Sequence, residues 1–223
     1  MIFSEYPDRE MMMLGLANIL AGELADFTRR EGRASFCVPG GTTPGPIFDT
    51  LSGVDLEWDK VAIFLNDERW VPENNPRSNT ALIRQRLIRG KAANAKLIPL
   101  YADTAQPEDS LDSLSDGISP YLPISVLLLG MGTDMHTASL FPGADRLADG
   151  LANDAPILLP MRAYAAGEPR ITLSARVLKD AMSCHILITG PEKRAAIERA
   201  QHLSELEAPV KSVLANATVH WAE

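Results

Sequence analysis

Ser125-Val126-Leu127-Leu128-Leu129, running straight into Gly130-Met131-Gly132-Thr133-Asp134-Met135-His136, is the stretch that decides the fold. A short apolar run that stops at a glycine-rich polar loop fits a strand buried on both faces of a parallel sheet, with its carboxyl end opening to solvent. Similar runs occur at Ser35–Val38, Val61–Leu65, Leu97–Tyr101, Ile157–Met161 and His185–Thr189. Helix-period segments separate them: Pro44–Leu51, Ser78–Ile88, Leu173–Ala181 and Glu192–His202. Ahead of them all, Met12, Leu16, Ile19, Leu20 and Leu24 recur at spacings of three and four, which predicts a helix over Asp8–Thr28 ending before Gly32. Strands alternating with helices imply crossover connections, so the reading is an α/β fold with a mostly parallel sheet and helices on both faces. Pro107–Pro120 reads either as a linker or as a surface helix carrying Leu111 and Leu114, and the chain is kept as one domain over 1–223.

Composition narrows the partners. The 223 residues are 46% apolar and 22% charged, which fits a globular domain. Acidic residues outnumber basic ones 29 to 21, and the net charge of −8 opposes nucleic acid and anionic membranes alike. Cys37 and Cys184 each lie in an apolar run without metal-ligand spacing and read as reduced core thiols, which predicts a cytoplasmic protein. Glu5, Asp8 and Glu10 stand where a signal peptide carries basic residues, and there is no uninterrupted apolar run of membrane-spanning length.

In open parallel sheets, ligands bind beyond the carboxyl ends of the strands, so the loops there carry the functional reading. Pro39-Gly40-Gly41-Thr42-Thr43-Pro44 reads as an anion cradle or as a tight strand-to-helix turn capped by threonine, and it lacks the lysine of a P-loop. Asn66-Asp67-Glu68-Arg69-Trp70-Val71-Pro72 puts four polar residues just past a buried strand. That run needs a cleft or mutual pairing, the blander version being a solvated turn with an Asp67–Arg69 ion pair. Gly130–Gly143 begins like a dinucleotide fingerprint but has Met135 at the third glycine position, so that reading fails. What is left is His136 with Asp134 two residues earlier, either a structural histidine or a general base with its orienting carboxylate. Arg170 and Lys193 sit at strand–helix junctions where they could clamp an anion or merely face solvent. Arg162 is a weaker third cation, while His185, His202 and His220 read as structural or exposed, and Ser139 carries no mark of an activated nucleophile.

Taken in order, VPGGTTP (38–44), NDERWVP (66–72) with Ser78-Asn79, GMGTDMHTASLFPG (130–143), RITLS (170–174) and GPEK (190–193) resemble the 6-phosphogluconolactonases of the pentose phosphate pathway. The resemblance runs from Phe36 to Lys193 and implies a Rossmann-like parallel sheet. It implies hydrolysis of 6-phosphogluconolactone without a cofactor or metal, with the small sugar-phosphate lactone as partner; a monomer or weak homo-oligomer is the expected state of the chain. Carried onto this chain, the pattern implies that His136 is the base with Asp134 beside it and that Arg69 faces the lactone end. It also implies that Gly40, Gly41, Thr42, Thr43, Arg170 and Lys193 hold the phosphate, with Asp67 as a further substrate contact. Two positions depart from the pattern. The usual Asp-Gly-His is Asp134-Met135-His136, and the usual serine ahead of the paired glycines is Pro39. A glycine at 135 would supply positive φ or room for substrate. The related glucosamine-6-phosphate deaminases place a carboxylate five residues after the loop histidine, where this chain has Phe141. A deaminase or isomerase of an amino-sugar phosphate is therefore the rival reading, and a non-catalytic sugar-phosphate sensor, hinted at by Met135, is the third.

Overall fold

The computed structural model describes residues 1–223, the side chain of Ala165 excepted. Seven strands form one sheet in the order β1–β10–β9–β6–β2–β3–β5, and every neighbouring pair is parallel. These are β1 (Ile2–Glu5), β2 (Ala34–Val38), β3 (Val61–Leu65), β5 (Lys96–Leu97), β6 (Val126–Gly130), β9 (Ser183–Thr189) and β10 (Ala217–Ala222). Every residue of β2 and β3 is buried, as continuous apolar runs covered on both faces require.

The chain leaves β2 toward β3 on one side and later comes back to β2's other side through β6. Right-handed crossovers then put helices α1 (Arg9–Glu31), α2 (Gly45–Leu51) and α3 (Asn79–Arg86) on one face. By the same rule α4 (Leu111–Ile118), α5 (Leu147–Leu151), α6 (Ala175–Lys179), α7 (Pro191–Ala200) and α8 (Lys211–Leu214) lie on the other. The packing of α1 on α2 and α2 on α3, and of α5 on α6 and α6 on α8, agrees. The boundary between β2 and β6 is thus the topological switch point, where a doubly wound sheet opens a crevice.

Helix α1 has the signals that the sequence supplies for it: the Asp8 side chain accepts from the Met11 N–H at 2.7 Å, and Gly32 closes the helix at φ 73°. It is long and apolar enough to cross a membrane by composition, but Met12, Leu16, Leu20 and Leu24 are buried in the core. Pro107–Pro120 is the surface-helix alternative: α4 buries Leu114 and Ile118.

Three expectations need correction. Ile157–Met161 forms a strand, β7 (Leu158–Met161), but in a separate antiparallel sheet with β8 (Arg170–Leu173) in the middle and β4 (Asp67–Arg69) at the far edge, not in the parallel one. Leu173 ends strand β8 (Arg170–Leu173) rather than starting a helix, because its N–H is taken by the Asn66 carbonyl at 2.9 Å. Of the 97–101 run only Leu97 lies in the sheet, as the end of β5.

Candidate active site

Four neighbouring strands, β9, β6, β2 and β3, deliver the four loops that the sequence singles out to one edge of the sheet. The loops enclose a cavity of about 390 Å³ lined by Gly40, Gly41, Thr43, Asp67, Arg69, His136, Arg170 and Lys193, among others. Thr42 is exposed and does not line it, and Asp134 stands behind the lining, hydrogen-bonded to His136. Arg162 is elsewhere, paired with Glu108.

The loop after β6 turns tightly. The Met135 N–H donates to the Gly132 carbonyl and the Gly132 N–H to the His136 carbonyl. Met135 takes φ 67°, so the positive backbone angle that a glycine would serve is adopted here by methionine, at a cost of about 1 kcal/mol. The turn brings His136 Nδ1 to 2.6 Å from Asp134 Oδ1. That contact fixes the tautomer: Nδ1–H donates to the carboxylate and Nε2 carries the lone pair. The hydrogen bond from His136 holds the Asp134 carboxyl below the usual carboxylate range. The Phe141 ring lies 4.3 Å from the imidazole, centroid to centroid, and gives it an apolar neighbour. A Cβ on Gly132 would fall 2.4 Å from both Asp134 Oδ1 and His136 Nδ1, so only glycine leaves room for the dyad.

The polar run after β3 is not a solvated turn. Asn66 bridges the two sheets, its N–H donating to the Val38 carbonyl at the end of β2. The chain then continues directly as strand β4 (Asp67–Arg69), antiparallel to β8. Register sets Arg69 opposite Arg170 and Asp67 opposite Thr172. Strand periodicity sends Asp67 and Arg69 to one face and Glu68 to the other. The anticipated Asp67–Arg69 ion pair is replaced by other partners. Asp67 Oδ2 accepts from Ser139 Oγ at 2.6 Å and lies 3.6 Å from Arg170 Nη1, while Arg69 donates to the Arg77 carbonyl. With its hydroxyl on Asp67, Ser139 is buried and committed. Two cations directly opposed across strands repel, and here Asp67 and Glu168 flank the Arg170 member of the pair.

Lys193 stands in the first turn of α7, facing the loop after β2 across the cavity. Burial pulls its ammonium below the ordinary lysine range, opposed by the nearby Asp134 carboxylate. Among the polar cavity residues, Asn66 and Asn79 receive no role from the sequence alone. Asn79 lies so close to the paired glycines that a Cβ on Gly40 would sit 2.0 Å from its Oδ1. The Ser-Asn dipeptide is the only trace it leaves in the sequence.

The arrangement thus combines an oriented imidazole, a cationic wall and a glycine-rich loop in one polar cleft. Residues 7–221 match the family described as glucosamine-6-phosphate isomerases/6-phosphogluconolactonase. The chain belongs to this isomerase/lactonase family. A 6-phosphogluconolactonase of Mesorhizobium japonicum is 39% identical over 99% of this chain and 94% of its own length. One from Pseudomonas aeruginosa is 39% identical over 93% and 89%. The crystal structure of a 6-phosphogluconolactonase from Shewanella baltica superposes with a TM-score of 0.95 at 30% identity, covering 100% of this chain and 97% of that one. A monomeric glucosamine-6-phosphate deaminase also superposes, with a TM-score of 0.81 at 15% identity over 99% and 97% of the two chains. Both activities of the family therefore occur on this fold, and the site must discriminate between them.

Proposed function

We propose that the protein hydrolyses 6-phospho-D-glucono-1,5-lactone to 6-phosphogluconate, with residues 1–223 acting as one lactonase domain in the cytoplasm. The observation that carries this reading is the His136–Asp134 pair, whose geometry leaves Nε2 as the acceptor in a cleft lined by cations. Neutral His136 takes a proton from water as the water oxygen bonds to C1, and the C1 carbonyl becomes an oxyanion. Collapse of the tetrahedral intermediate breaks the bond from C1 to the ring oxygen, and His136 returns its proton to that oxygen. General catalysis of this kind contributes ~10²–10⁴-fold. Asp134 holds the tautomer and stabilises the imidazolium. Arg69, on the β4 wall, offsets the oxyanion.

Lys193, Arg170, Gly40, Gly41 and Thr43, which line the cavity, hold the phosphate. Binding energy from that remote group positions C1 against the base. Asp67, fixed by Ser139 and Arg170, accepts from a sugar hydroxyl. Phe141 supports lactone chemistry over amino-sugar ring opening, because an apolar ring stands where the deaminases use a carboxylate.

The test is the rate of acid release from freshly made 6-phosphogluconolactone with and without protein, since the lactone also opens unaided. Glucosamine 6-phosphate is run in parallel. Acceleration that disappears in His136→Ala, with affinity for 6-phosphogluconate kept, is the expected result. Ammonia release instead assigns the rival activity, and tight 6-phosphogluconate binding without turnover of either substrate assigns a sensor.

A further inference from the structure

Strand periodicity turns Glu68 away from the cavity that its neighbours Asp67 and Arg69 line, yet Glu68 is fully buried. A buried carboxylate is costly unless its oxygens are saturated with donors. Here five donors converge on it. Oε1 accepts from the Arg69 N–H at 2.7 Å and the Asn79 N–H at 2.8 Å. Oε2 accepts from the Thr80 N–H at 2.7 Å, the Thr80 hydroxyl at 2.8 Å and the Ser78 hydroxyl at 3.3 Å. Asn79 and Thr80 open α3, whose first N–H groups have no partner within the helix. The carboxylate therefore binds the start of α3 to the strand that carries Asp67 and Arg69.

Two further contacts connect this clasp to the cavity. Asn79 Nδ2 donates to the Asp67 carbonyl at 3.2 Å, and its Oδ1 fills the space above Gly40, which only a residue without Cβ leaves open. One side chain thus ties the β3–β4 wall to the loop after β2, and the backbone of Asn79 is held in turn by Glu68.

We infer that Glu68 is a positioning residue for the site: its carboxylate clasps β4 to the first turn of α3 and so sets Asp67, Arg69 and Asn79 around the bound ligand. It touches no substrate itself. The inference rests on the lactonase reading for its turnover measurement, while its exchange measurement is independent of the reaction.

The experiment compares Glu68→Gln with Asp8→Ala, which removes the cap of α1 at a residue that does not line the cavity and serves as a control for lost stability. Glutamine keeps the shape but directs an N–H₂ at the Thr80 N–H, so donor faces donor. In Glu68→Gln we expect kcat/KM to fall roughly ten- to hundred-fold, as small misplacements in an active site do. Asp8→Ala is expected to stay within twofold of the wild type. Amide hydrogen exchange at Asn79 and Thr80 is expected to speed at least tenfold in Glu68→Gln and to be unchanged in Asp8→Ala. Turnover within twofold of the control, or unchanged exchange at those two amides, overturns the proposal. If the wild type does not accelerate lactone opening, the lactonase reading fails. The clasp is then judged by the exchange rates and by 6-phosphogluconate affinity, which should weaken in Glu68→Gln alone. Should that variant not fold, Thr80→Val removes one donor from the same oxygen. Its kcat/KM is expected to drop three- to tenfold, and a value matching Asp8→Ala is the overturning result.

Discussion

The His136–Asp134 contact depends on a residue with no side chain. A methyl group on Gly132 would collide with both members of the dyad, and the loop cannot retreat easily because Gly132 and His136 are joined through their backbones. Gly132→Ala is therefore expected to fold normally and lose about 10²-fold in kcat. Wild-type turnover in that variant would mean the loop yields and the dyad geometry does not limit the rate. Met135 makes the opposite case. Its αL backbone is already formed, so Met135→Gly exchanges about 1 kcal/mol of relieved strain for lost packing and added chain entropy. Its kcat should stay within about threefold of the wild type. A large gain would show that methionine restrains the chemistry and would revive the sensor reading.

Antiparallel register in the small sheet makes Arg170 a different kind of cation from Lys193, although the sequence groups the two. Arg170 is buried between Asp67 and Glu168, whereas Lys193 is half-buried and has no such carboxylate cage. Removing one member of a buried pair leaves an uncompensated charge, so Arg170→Ala should cost about 3 kcal/mol in urea unfolding as well as raising KM. Lys193→Ala should raise KM with little loss of stability. Equal stability losses would mean that the Arg170 environment is as solvated as the Lys193 one.

The same small sheet marks where sequence reasoning stopped. The parallel strands are legible as unbroken apolar runs, and α1 as a capped amphipathic period. Strands β4 and β8 are three and four residues long, and Asp67-Glu68-Arg69 looks like a polar turn because its burial is balanced by partners on other elements: Ser139 and Arg170 for Asp67, the start of α3 for Glu68 and the Arg77 carbonyl for Arg69. Strand β10 was masked in the same way by Thr218 and His220 among its apolar residues, and β1 by its brevity. The site loops were legible because glycine, histidine and charge past a buried strand are locally costly. Asn66, Glu68 and Asn79 were not, since their purpose appears only when separate strands meet.

Across the whole molecule, His220 and His185 join β10 and β9 to α1 through a chain of hydrogen bonds beneath the sheet. Tyr6 Oη is 2.9 Å from His220 Nδ1, His220 Nε2 is 2.9 Å from His185 Nδ1, and His185 Nε2 is 2.9 Å from Glu23 Oε2. One set of neutral tautomers satisfies every link, with each N–H or O–H donating toward Glu23. Burial, reinforced by His185, pushes the His220 imidazole down to about 4. An unfolded histidine titrates near 6.5, so the unfolded chain binds the proton first. Stability from this group is thus complete above about pH 6.5 and drains away as pH falls toward 4, by up to about 3 kcal/mol. His220→Gln, which can accept and donate at the same two positions, should flatten unfolding free energy against pH in that window. An unchanged slope would assign the acid sensitivity to other groups. The switch point between β2 and β6 has a kinetic consequence as well. Its cleft draws on loops from Pro39 to Lys193, so no short stretch of the chain holds a working centre. Pairings at such long sequence separation form late and slowly. On dilution from denaturant, recovered turnover should trail the return of helical signal and coincide with the last docking of β9 onto β6, making enzymatic activity the most demanding report on completed folding.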